Sequence, residues 1–282
     1  MKIRRMKDVR KPVITNSKRK SRLKKVLRFL KYMLVTALFA TTVVYAAISP
    51  FFNIKKITAK ESAHYGTDEL IGASGIRKGI NGFRLLFGGQ GKIFLFRIGI
   101  AENAIIEKCP YVKKAVVRYV IPSTVVIEVE ERQAGAILRM DGVDLLIDRE
   151  GYLLEIDPDL DKTDLPVIKG VEPESLIPGK KLNINKEILL SAFKVFDTIR
   201  EVDELDADKL LPDVDYINVA DLQNVSFSLQ SRVIVNLGKL EDLHYKISAA
   251  KTIFARNIKK SERGKLDFST GSNPVFSPEN GG

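Results

Sequence analysis

Few residues in this chain have the types and spacing that catalysis or metal binding requires. The sequence contains one cysteine, Cys109, and two histidines, His64 and His244, which lie far apart along the chain. A thiolate metal cluster needs several cysteines, and an activated nucleophile needs a base beside it. Cys109 has no histidine nearby, and the segment nearest to a Gly-x-Ser-x-Gly motif is Gly72-Ala73-Ser74-Gly75. The sequence therefore predicts no enzyme, no metal site and no cofactor.

Two further segments suggest a ligand but fail the spacing that the ligand requires. A glycine-rich loop contains GGQG at 88–91, which lacks the Gly-Lys-Ser/Thr ending of a phosphate-binding loop, so we interpret the whole loop, with its glycines at 79, 82, 88, 89 and 91, as a flexible connector. An EF-hand calcium loop needs glycine at its sixth position and glutamate at its twelfth. Counted from Asp157, the first residue of an acidic run, these positions hold Lys162 and Ile168. We therefore interpret the acidic run as a solvated loop.

The positive charge of the chain is concentrated at its N-terminus. Residues 1–31 contain 14 lysine and arginine residues and one acid, Asp8, so they carry a net charge of +13, and the remaining residues carry −2, which gives +11 for the whole chain. The remaining residues are almost neutral, so the basic composition does not indicate a nucleic-acid-binding surface. Few apolar residues and dense like charge predict that 1–31 is a disordered cytoplasmic tail with affinity for anionic lipid.

An uncharged segment follows this tail. Residues 32–52 would form a helix of roughly 31 Å, which matches the hydrocarbon thickness of a bilayer. The lysines that precede it place the N-terminus in the cytoplasm and the bulk of the chain outside the cell membrane, as a single-pass protein. The alternative is a signal peptide cleaved after Ala46, which would release a secreted binding protein. The long basic segment and the length of the apolar run favour the uncleaved anchor.

Residues 53–131 show the pattern of a small mixed domain. The second strand of a predicted hairpin alternates, with Val125, Ile127 and Val129 on one face. Thr67 begins a helix as its capping residue, and Cys109 follows a second helix in a packed position. The predicted order is strand, helix, helix, strand, strand, over 53–59, 67–75, 97–108, 111–121 and 124–131.

Residues 132–269 show the pattern of a larger β-rich domain. Short apolar segments bounded by turn residues predict strands at 134–140, 145–148, 152–156, 165–170, 216–219, 225–229, 233–237 and 265–269. Apolar residues at helical spacing predict two helices, at 186–202 and 240–254. Residues 270–282 are predicted to form a flexible tail in which Phe276 is a lone exposed aromatic residue. The fold class is therefore α+β, with a transmembrane helix before the two domains.

Two segments of this sequence resemble the FtsQ/DivIB family of bacterial cell-division proteins. They are FFNIKKI at 51–57 and CPYVKKAVVRYVIPSTVVIEVEER at 109–132. The resemblance implies that 53–131 is a polypeptide-transport-associated (POTRA) domain and that 132–269 is the partner-binding domain of that family. The segment from Arg84 to Phe96 departs from the family pattern.

The resemblance also implies a function and a set of partners. It implies a non-enzymatic scaffold at the division septum that links early and late division proteins through contacts outside the membrane. The implied partners are coiled-coil proteins like FtsB/DivIC and FtsL and other septal proteins, besides the membrane lipid that the tail and span contact. In the family these proteins dock at the C-terminal strand region, which implies partner-binding roles for Leu266, Phe268, Ser269, Thr270 and Phe276. Since POTRA domains also occur in transport systems, a transport or assembly component is the alternative.

The predicted strand at 265–269 either forms an edge of a sheet or leads the chain away from one. Its alternation places Leu266 and Phe268 toward the core, and an open edge would allow a partner strand to pair with it. Phe276 is predicted to be an exposed anchor whose removal weakens partner binding without changing the melting temperature.

Overall fold

The computed structural model describes residues 17–88, 95–140, 142–158, 165–205, 208–270 and 273–279. Its first element is a long helix, α1, at Ser17–Ile48. The predicted disorder of 1–31 is wrong for residues 17–31, and residues 1–16 lie outside the described ranges. Since no glycine or proline interrupts 17–48, the helix of the apolar segment can continue back through the basic residues.

Helix α1 ends four residues before the predicted end of the span. Pro50 disfavours helical backbone at the residue before it, and Ser49 accordingly adopts φ −54° and ψ 145°. The Ser49 hydroxyl accepts a hydrogen bond from the Phe51 N–H at 3.3 Å, which begins a 3-10 turn at Pro50–Phe52. Residues Lys24–Ile48 are long and apolar enough to cross a membrane, so α1 contains a candidate transmembrane helix.

A three-stranded sheet with helices forms the small domain. Its strand order is β1-β3-β2, in which β3 pairs in parallel with β1 and antiparallel with β2. Val125 and Ile127 are buried while Glu128 is exposed, which confirms the predicted register of the hairpin. The elements are β1 (Lys56–Ala59), α2 (Thr67–Ser74), α3 (Gly82–Phe87), α4 (Gly99–Lys108), β2 (Val112–Val120) and β3 (Thr124–Glu131).

Two local predictions for the small domain are wrong. Part of the predicted glycine-rich connector is helix α3, because the Asn81 side chain caps it by accepting a hydrogen bond from the Arg84 N–H at 3.2 Å. Residues 89–94, which complete that connector, lie outside the described ranges. Helix α2 is preceded by Gly66 as its capping residue, while the Thr67 hydroxyl donates to the Ala59 carbonyl at 3.2 Å. Thr67 thus connects the start of α2 to the end of β1.

A nine-stranded sheet forms the large domain, in the order β12-β11-β10-β9-β8-β7-β4-β5-β6. Helices α5 (Lys186–Glu204) and α6 (Leu243–Arg256) pack against it and share its main core. The predicted strands and both helices are confirmed, whereas most of the acidic run lies outside the described residues. The strands are β4 (Ala134–Met140), β5 (Val143–Asp148), β6 (Leu153–Ile156), β7 (Val167–Lys169), β8 (Val214–Asn218), β9 (Val225–Leu229), β10 (Val233–Gly238), β11 (Gly264–Asp267) and β12 (Val275–Pro278).

Strand β12 lies within the predicted flexible tail of residues 270–282. That prediction is wrong for 275–278, which pair with β11 in an antiparallel ladder. The four-residue strand carries too few apolar residues to show a pattern on its own. The structure therefore extends the sheet by one strand beyond the predicted last strand.

The small domain joins the large one at the end of the sheet formed by β5 and β6. Arg132 Nη1 lies 2.7 Å from Asp148 Oδ2, and both side chains are buried. The Arg132 guanidinium also stacks on the Tyr152 ring, with its Cζ atom 3.4 Å from the ring centroid. From the small domain, the Tyr111 hydroxyl donates to Glu155 Oε2 on β6 at 2.8 Å.

Candidate functional site

The five residues predicted to bind partners lie at or beside the opposite end of the sheet. Leu266 is on β11, Phe268 and Ser269 directly follow β11, and Phe276 is on β12. The predicted strand at 265–269 was expected either to form an edge or to lead away from one. It does neither, because β11 lies between β10 and β12. The outermost strand on this side is β12.

The direction of the backbone groups along β12 follows from the hydrogen bonds of its neighbours. The N–H groups of Gly264 and Phe268 donate to β10 or its flank, at 3.0 and 2.8 Å, so alternate residues of β11 face β12. The Glu279 N–H donates to the Arg263 carbonyl at 2.8 Å, in register with the pair Lys265 and Ser277. Backbone groups of 275 and 277 therefore point toward β11, and those of 274, 276 and 278 point outward.

The outward positions of this edge have an unusual composition. They are Pro274, Phe276 and Pro278, and proline has no N–H to donate. Between 274 and 278 the outward side therefore offers one amide donor, the Phe276 N–H, together with the carbonyl oxygens of all three residues. Among the described residues, no strand pairs with this side of β12. The edge can accept a short extended segment, but the prolines limit how far a new ladder extends.

Close approach of β12 to β11 depends on Gly264. A Cβ at this position would overlap the Ser277 carbonyl oxygen and lie 2.9 Å from Pro278 Cα. Only glycine leaves this space open, so the residue at 264 controls whether β12 can dock. The sequence around Gly264 gives no sign of this role, because the close approach involves a strand that its pattern does not predict.

The side chains of the core-facing residues are not available to a partner. Leu266 and Phe268 are each 1% exposed and belong to the main core, as their predicted orientation requires. Phe276 lies opposite Leu266 and packs, partly buried, against the same core. The prediction that Phe276 is a lone exposed aromatic is therefore wrong, because its strand docks and turns the ring inward. A partner-binding role for these three residues stays a prediction that involves their backbone or their support of β12.

A polar cluster lies on the opposite face of β11. The Lys265 ammonium lies 2.7 Å from Asp267 Oδ2, and the Ser269 N–H and Asn236 Nδ2 donate to Asp267 Oδ1 at 2.8 and 3.2 Å. Partial burial raises the pKa of Asp267, but Lys265, Ser269 and Asn236 lower it more, so this pKa lies well below its ordinary range. The ionised carboxylate fixes the backbone of Ser269 at the end of β11.

A polar cleft of about 450 Å³ adjoins Ser269. Residues from three segments line it, among them Lys239, Asp242 and Tyr245, and Tyr245 is largely exposed. Thr270 is exposed in the turn that follows. The cleft and the outward edge of β12 thus flank the turn after β11. The cleft has charged groups of both signs, which suits the side chains of a docked peptide.

The residues that first suggested chemistry lie elsewhere and have structural roles. Cys109 is buried, as predicted, and burial raises the pKa of its thiol, which disfavours the reactive thiolate. His64 Nδ1 lies 2.9 Å from Glu131 Oε2, and its ring stacks on Tyr111. His244 is exposed on α6. Within the described ranges, no group of His, Cys, Asp and Glu could hold a metal ion.

Four further residues form this edge without having been predicted as site residues: Pro274, Val275, Ser277 and Pro278. Their signal is the spacing Pro-x-Phe-x-Pro at 274–278, since two prolines four residues apart fall on the same side of a strand. In an edge strand this side is the outward one, where no N–H is needed. This spacing could not be interpreted from the sequence, because nothing in the sequence predicts that 275–278 form a strand.

Comparison with known proteins finds two matching family models. A POTRA domain of the FtsQ type matches residues 52–132, and the C-terminal domain of the cell division protein FtsQ/DivIB matches residues 136–268. The second match ends at Phe268, so β12 and its outward edge lie beyond it.

Relatives extend over most of the chain. The cell division protein FtsQ of Syntrophotalea carbinolica is 27% identical over 86% of this chain and 78% of its own length. The cell division protein DivIB of Clostridium acetobutylicum is 26% identical over 81% of this chain and 84% of its own. The cell division protein DivIB of Clostridium botulinum strain Loch Maree is 24% identical over 92% of this chain and 93% of its own length.

Proposed function

We propose that this chain, which belongs to the FtsQ/DivIB family of cell division proteins, is a non-enzymatic scaffold anchored in the cell membrane at the division septum. The 14 basic residues within 1–31 support a cytoplasmic N-terminus and an extracytoplasmic location for both domains. In this role it links early and late division proteins, with the partners outside the membrane.

The partner we propose for β12 is an extended segment of an FtsB/DivIC-like coiled-coil protein, bound beside its FtsL-like counterpart. The observation that carries this proposal is the outward edge of β12, where the Phe276 N–H faces away from β11. An added strand would donate to and accept from Phe276, and would donate to the carbonyls of Pro274 and Pro278. The prolines confine pairing to this short stretch, so the edge favours one bound segment over uncontrolled sheet growth.

The test separates the backbone of Phe276 from its side chain. Phe276→Ala keeps the outward N–H, whereas Phe276→Pro removes both the N–H and the ring. Full-length variants would be co-reconstituted with the FtsB/DivIC-like and FtsL-like proteins of the same organism, and binding would be measured by titration. We expect a lower melting temperature for both variants, because the ring packs on the core, and a further loss of affinity for Phe276→Pro alone.

Amide hydrogen exchange provides the second measurement. The Phe276 amide should exchange rapidly in the free protein and become protected in the complex, whereas the Ser277 amide, which faces β11, should be protected in both. Equal affinity of the Ala and Pro variants, with no added protection at Phe276, would show that the partner docks elsewhere.

A further inference from the structure

An apolar groove separates the end of the candidate transmembrane helix from the small domain. Its volume is about 940 Å³. One wall is formed by the last turns of α1 and the other by α3 and the residues before it. The apolar lining residues are Val43, Val44, Ala47 and Ile48 on α1, and Ile80, Phe83 and Phe87 on the other wall.

Helix α3 is held against the end of α1 by specific contacts. Asn81 Nδ2 donates to the carbonyl oxygens of Ala47 and Ser49 at 3.0 and 3.1 Å. The same side chain caps α3 through its Oδ1 atom, so one residue connects both helices. The Phe83 ring also meets the Phe52 ring edge to face, at 5.1 Å between centroids.

The other side of α3 is fixed to the sheet of the small domain. A Cβ at Gly82 would overlap the Tyr119 ring, and the Tyr119 hydroxyl donates to the Phe52 carbonyl at 3.0 Å. Gly82 thus allows α3 to begin directly against the sheet. With both sides fixed, the position of α3 relative to the span is part of the fold.

This position determines the depth of α3 in a membrane. Val43 precedes the end of α1 by five residues, which corresponds to roughly 7–8 Å of helix. Since Val43 and Phe87 line the same groove, α3 lies beside the outer part of the span. Phe87 is 67% exposed on the side of the groove, and Phe51 is similarly exposed at the end of the span. Where α1 crosses a membrane, exposed apolar rings at this depth would contact lipid.

Basic side chains accompany these rings. Arg84 is exposed on α3 and borders the groove, while Arg77 and Lys78 are exposed in the turn that precedes α3. Basic groups beside apolar and aromatic side chains are typical of elements at a membrane interface, where they meet anionic headgroups. The groove is also continuous with the surface of α1, none of which is covered by the rest of the described chain between Lys24 and Ala46.

We propose that α3 is embedded in the outer leaflet of the membrane, with lipid acyl chains filling the groove and Arg84 among the headgroups. This inference rests on the proposed membrane anchoring by α1. It gives the small domain a second membrane contact, which restricts its rotation about the span. A partner's transmembrane helix is the other possible occupant, and the experiment below distinguishes it from lipid.

The chain contains no tryptophan, so a single introduced indole reports its own environment. Phe87→Trp would be made in the full chain and reconstituted into vesicles of phosphatidylcholine and phosphatidylglycerol, with or without bromine on the acyl chains. Phe39→Trp marks the span, and Tyr245→Trp marks the aqueous surface of the large domain. All three positions are largely exposed in the folded chain, so the substitutions leave the core intact.

We expect Phe87→Trp to emit at shorter wavelength than Tyr245→Trp and to lose most of its emission in brominated vesicles, as Phe39→Trp does. Aqueous iodide should quench only Tyr245→Trp strongly. If Phe39→Trp is quenched by bromine and Phe87→Trp is quenched by iodide instead, α3 lies in water and the inference is wrong although the anchor stands. If bromine quenches neither Phe39→Trp nor Phe87→Trp, the proposed membrane anchoring by α1 is itself wrong.

A protein occupant gives a different pattern. Emission of Phe87→Trp would then be at short wavelength without quenching by either agent, and would depend on the ratio of protein to lipid if the occupant is a second copy. That result would overturn the assignment of lipid to the groove.

Discussion

The two edges of the nine-stranded sheet end in different ways. At β6 the chain covers its own edge, because the Leu153 N–H donates to the Lys180 carbonyl at 3.0 Å and the Gly179 N–H donates to the Leu153 carbonyl at 2.7 Å. This covering segment lies against the small domain, since a Cβ at Gly179 would meet Pro110 Cα at 3.4 Å. At β12 no described strand covers the edge, and two prolines limit its pairing instead.

The difference separates an end that contacts within the chain hold in place from an end that we propose binds a partner; we call them the fixed end and the binding end. The β6 end holds the small domain through the buried pair of Arg132 and Asp148 and the hydrogen bond from Tyr111 to Glu155. The β12 end keeps one outward amide, at Phe276, and a neighbouring polar cleft. Covering an edge removes it from association, whereas placing prolines along it restricts association to a short segment.

The largest expected effect is at the fixed end. Arg132→Ala leaves the buried Asp148 carboxylate without its cation, which should lower the free energy of unfolding by about 3–5 kcal/mol. Equilibrium urea unfolding of the full chain in detergent would measure this change. Lys113→Ala is the matched control, because its pair with Glu150 is exposed to solvent and should contribute little. A loss no greater than that of the control would mean that the buried pair does not hold this end.

The elements of this fixed end could largely be predicted from the sequence. The hairpin strands β2 and β3 alternate in period two around a proline turn, and the dipeptide Asp141-Gly142 predicts a turn in the sequence between β4 and β5. Local patterns such as these determine both the strands and their pairing. The Arg132–Asp148 contact could not be predicted, because it depends on how the hairpin of the small domain meets β5. Only the folded arrangement brings those two charges together.

Gly264→Ala is expected to have the next largest effect, at the binding end. The added methyl overlaps the Ser277 carbonyl, so β12 must move away from β11 or the backbone must shift, at a cost of about 1–3 kcal/mol. Partner binding should weaken even though no residue of β12 has changed. The amides of Lys265 and Ser277 should also lose protection from hydrogen exchange, because they bond across this ladder.

Gly72→Ala controls for the loss of a glycine. Position 72 lies within α2 and has nothing within 4 Å of an added Cβ, so alanine should be tolerated or slightly stabilising there. If Gly264→Ala keeps the protection of Lys265 and Ser277 and binds the partner as tightly as Gly72→Ala does, β12 does not depend on this close approach. The comparison between the two edges would then need another explanation.

The binding end could be predicted only in part. The orientation of Leu266 and Phe268 followed from alternation within β11, and both are buried as expected. The edge itself could not be predicted, since β12 has four residues, one of them proline, and pairs with β11 across a turn. Helix α3 was missed for a similar reason, because six residues that begin with glycine show no helical period. Short elements are stabilised by their contacts more than by local propensity.

The smallest expected effect concerns the polar cluster that supports the turn after β11. Because the pKa of Asp267 is lower in the folded chain than in the unfolded chain, its contribution to stability is present above its ordinary pKa of about 4. The contribution is lost progressively as the pH falls below that value toward the folded pKa. Asp267→Asn should therefore cost less than about 1 kcal/mol at pH 7, since Lys265 is half exposed.

At pH 3 the difference in stability between the wild type and Asp267→Asn should be smaller than at pH 7, because the unfolded wild-type chain then binds a proton at Asp267 that the folded chain does not. Urea unfolding of both proteins at the two pH values would measure it. Lys265→Met is the second variant: without the ammonium at 2.7 Å, the pKa of Asp267 should rise and its pH dependence should shrink. A difference that grows on acidification would reverse the sign of this argument. The polar cluster would then not favour the ionised carboxylate that holds the Ser269 backbone beside the outward edge of β12.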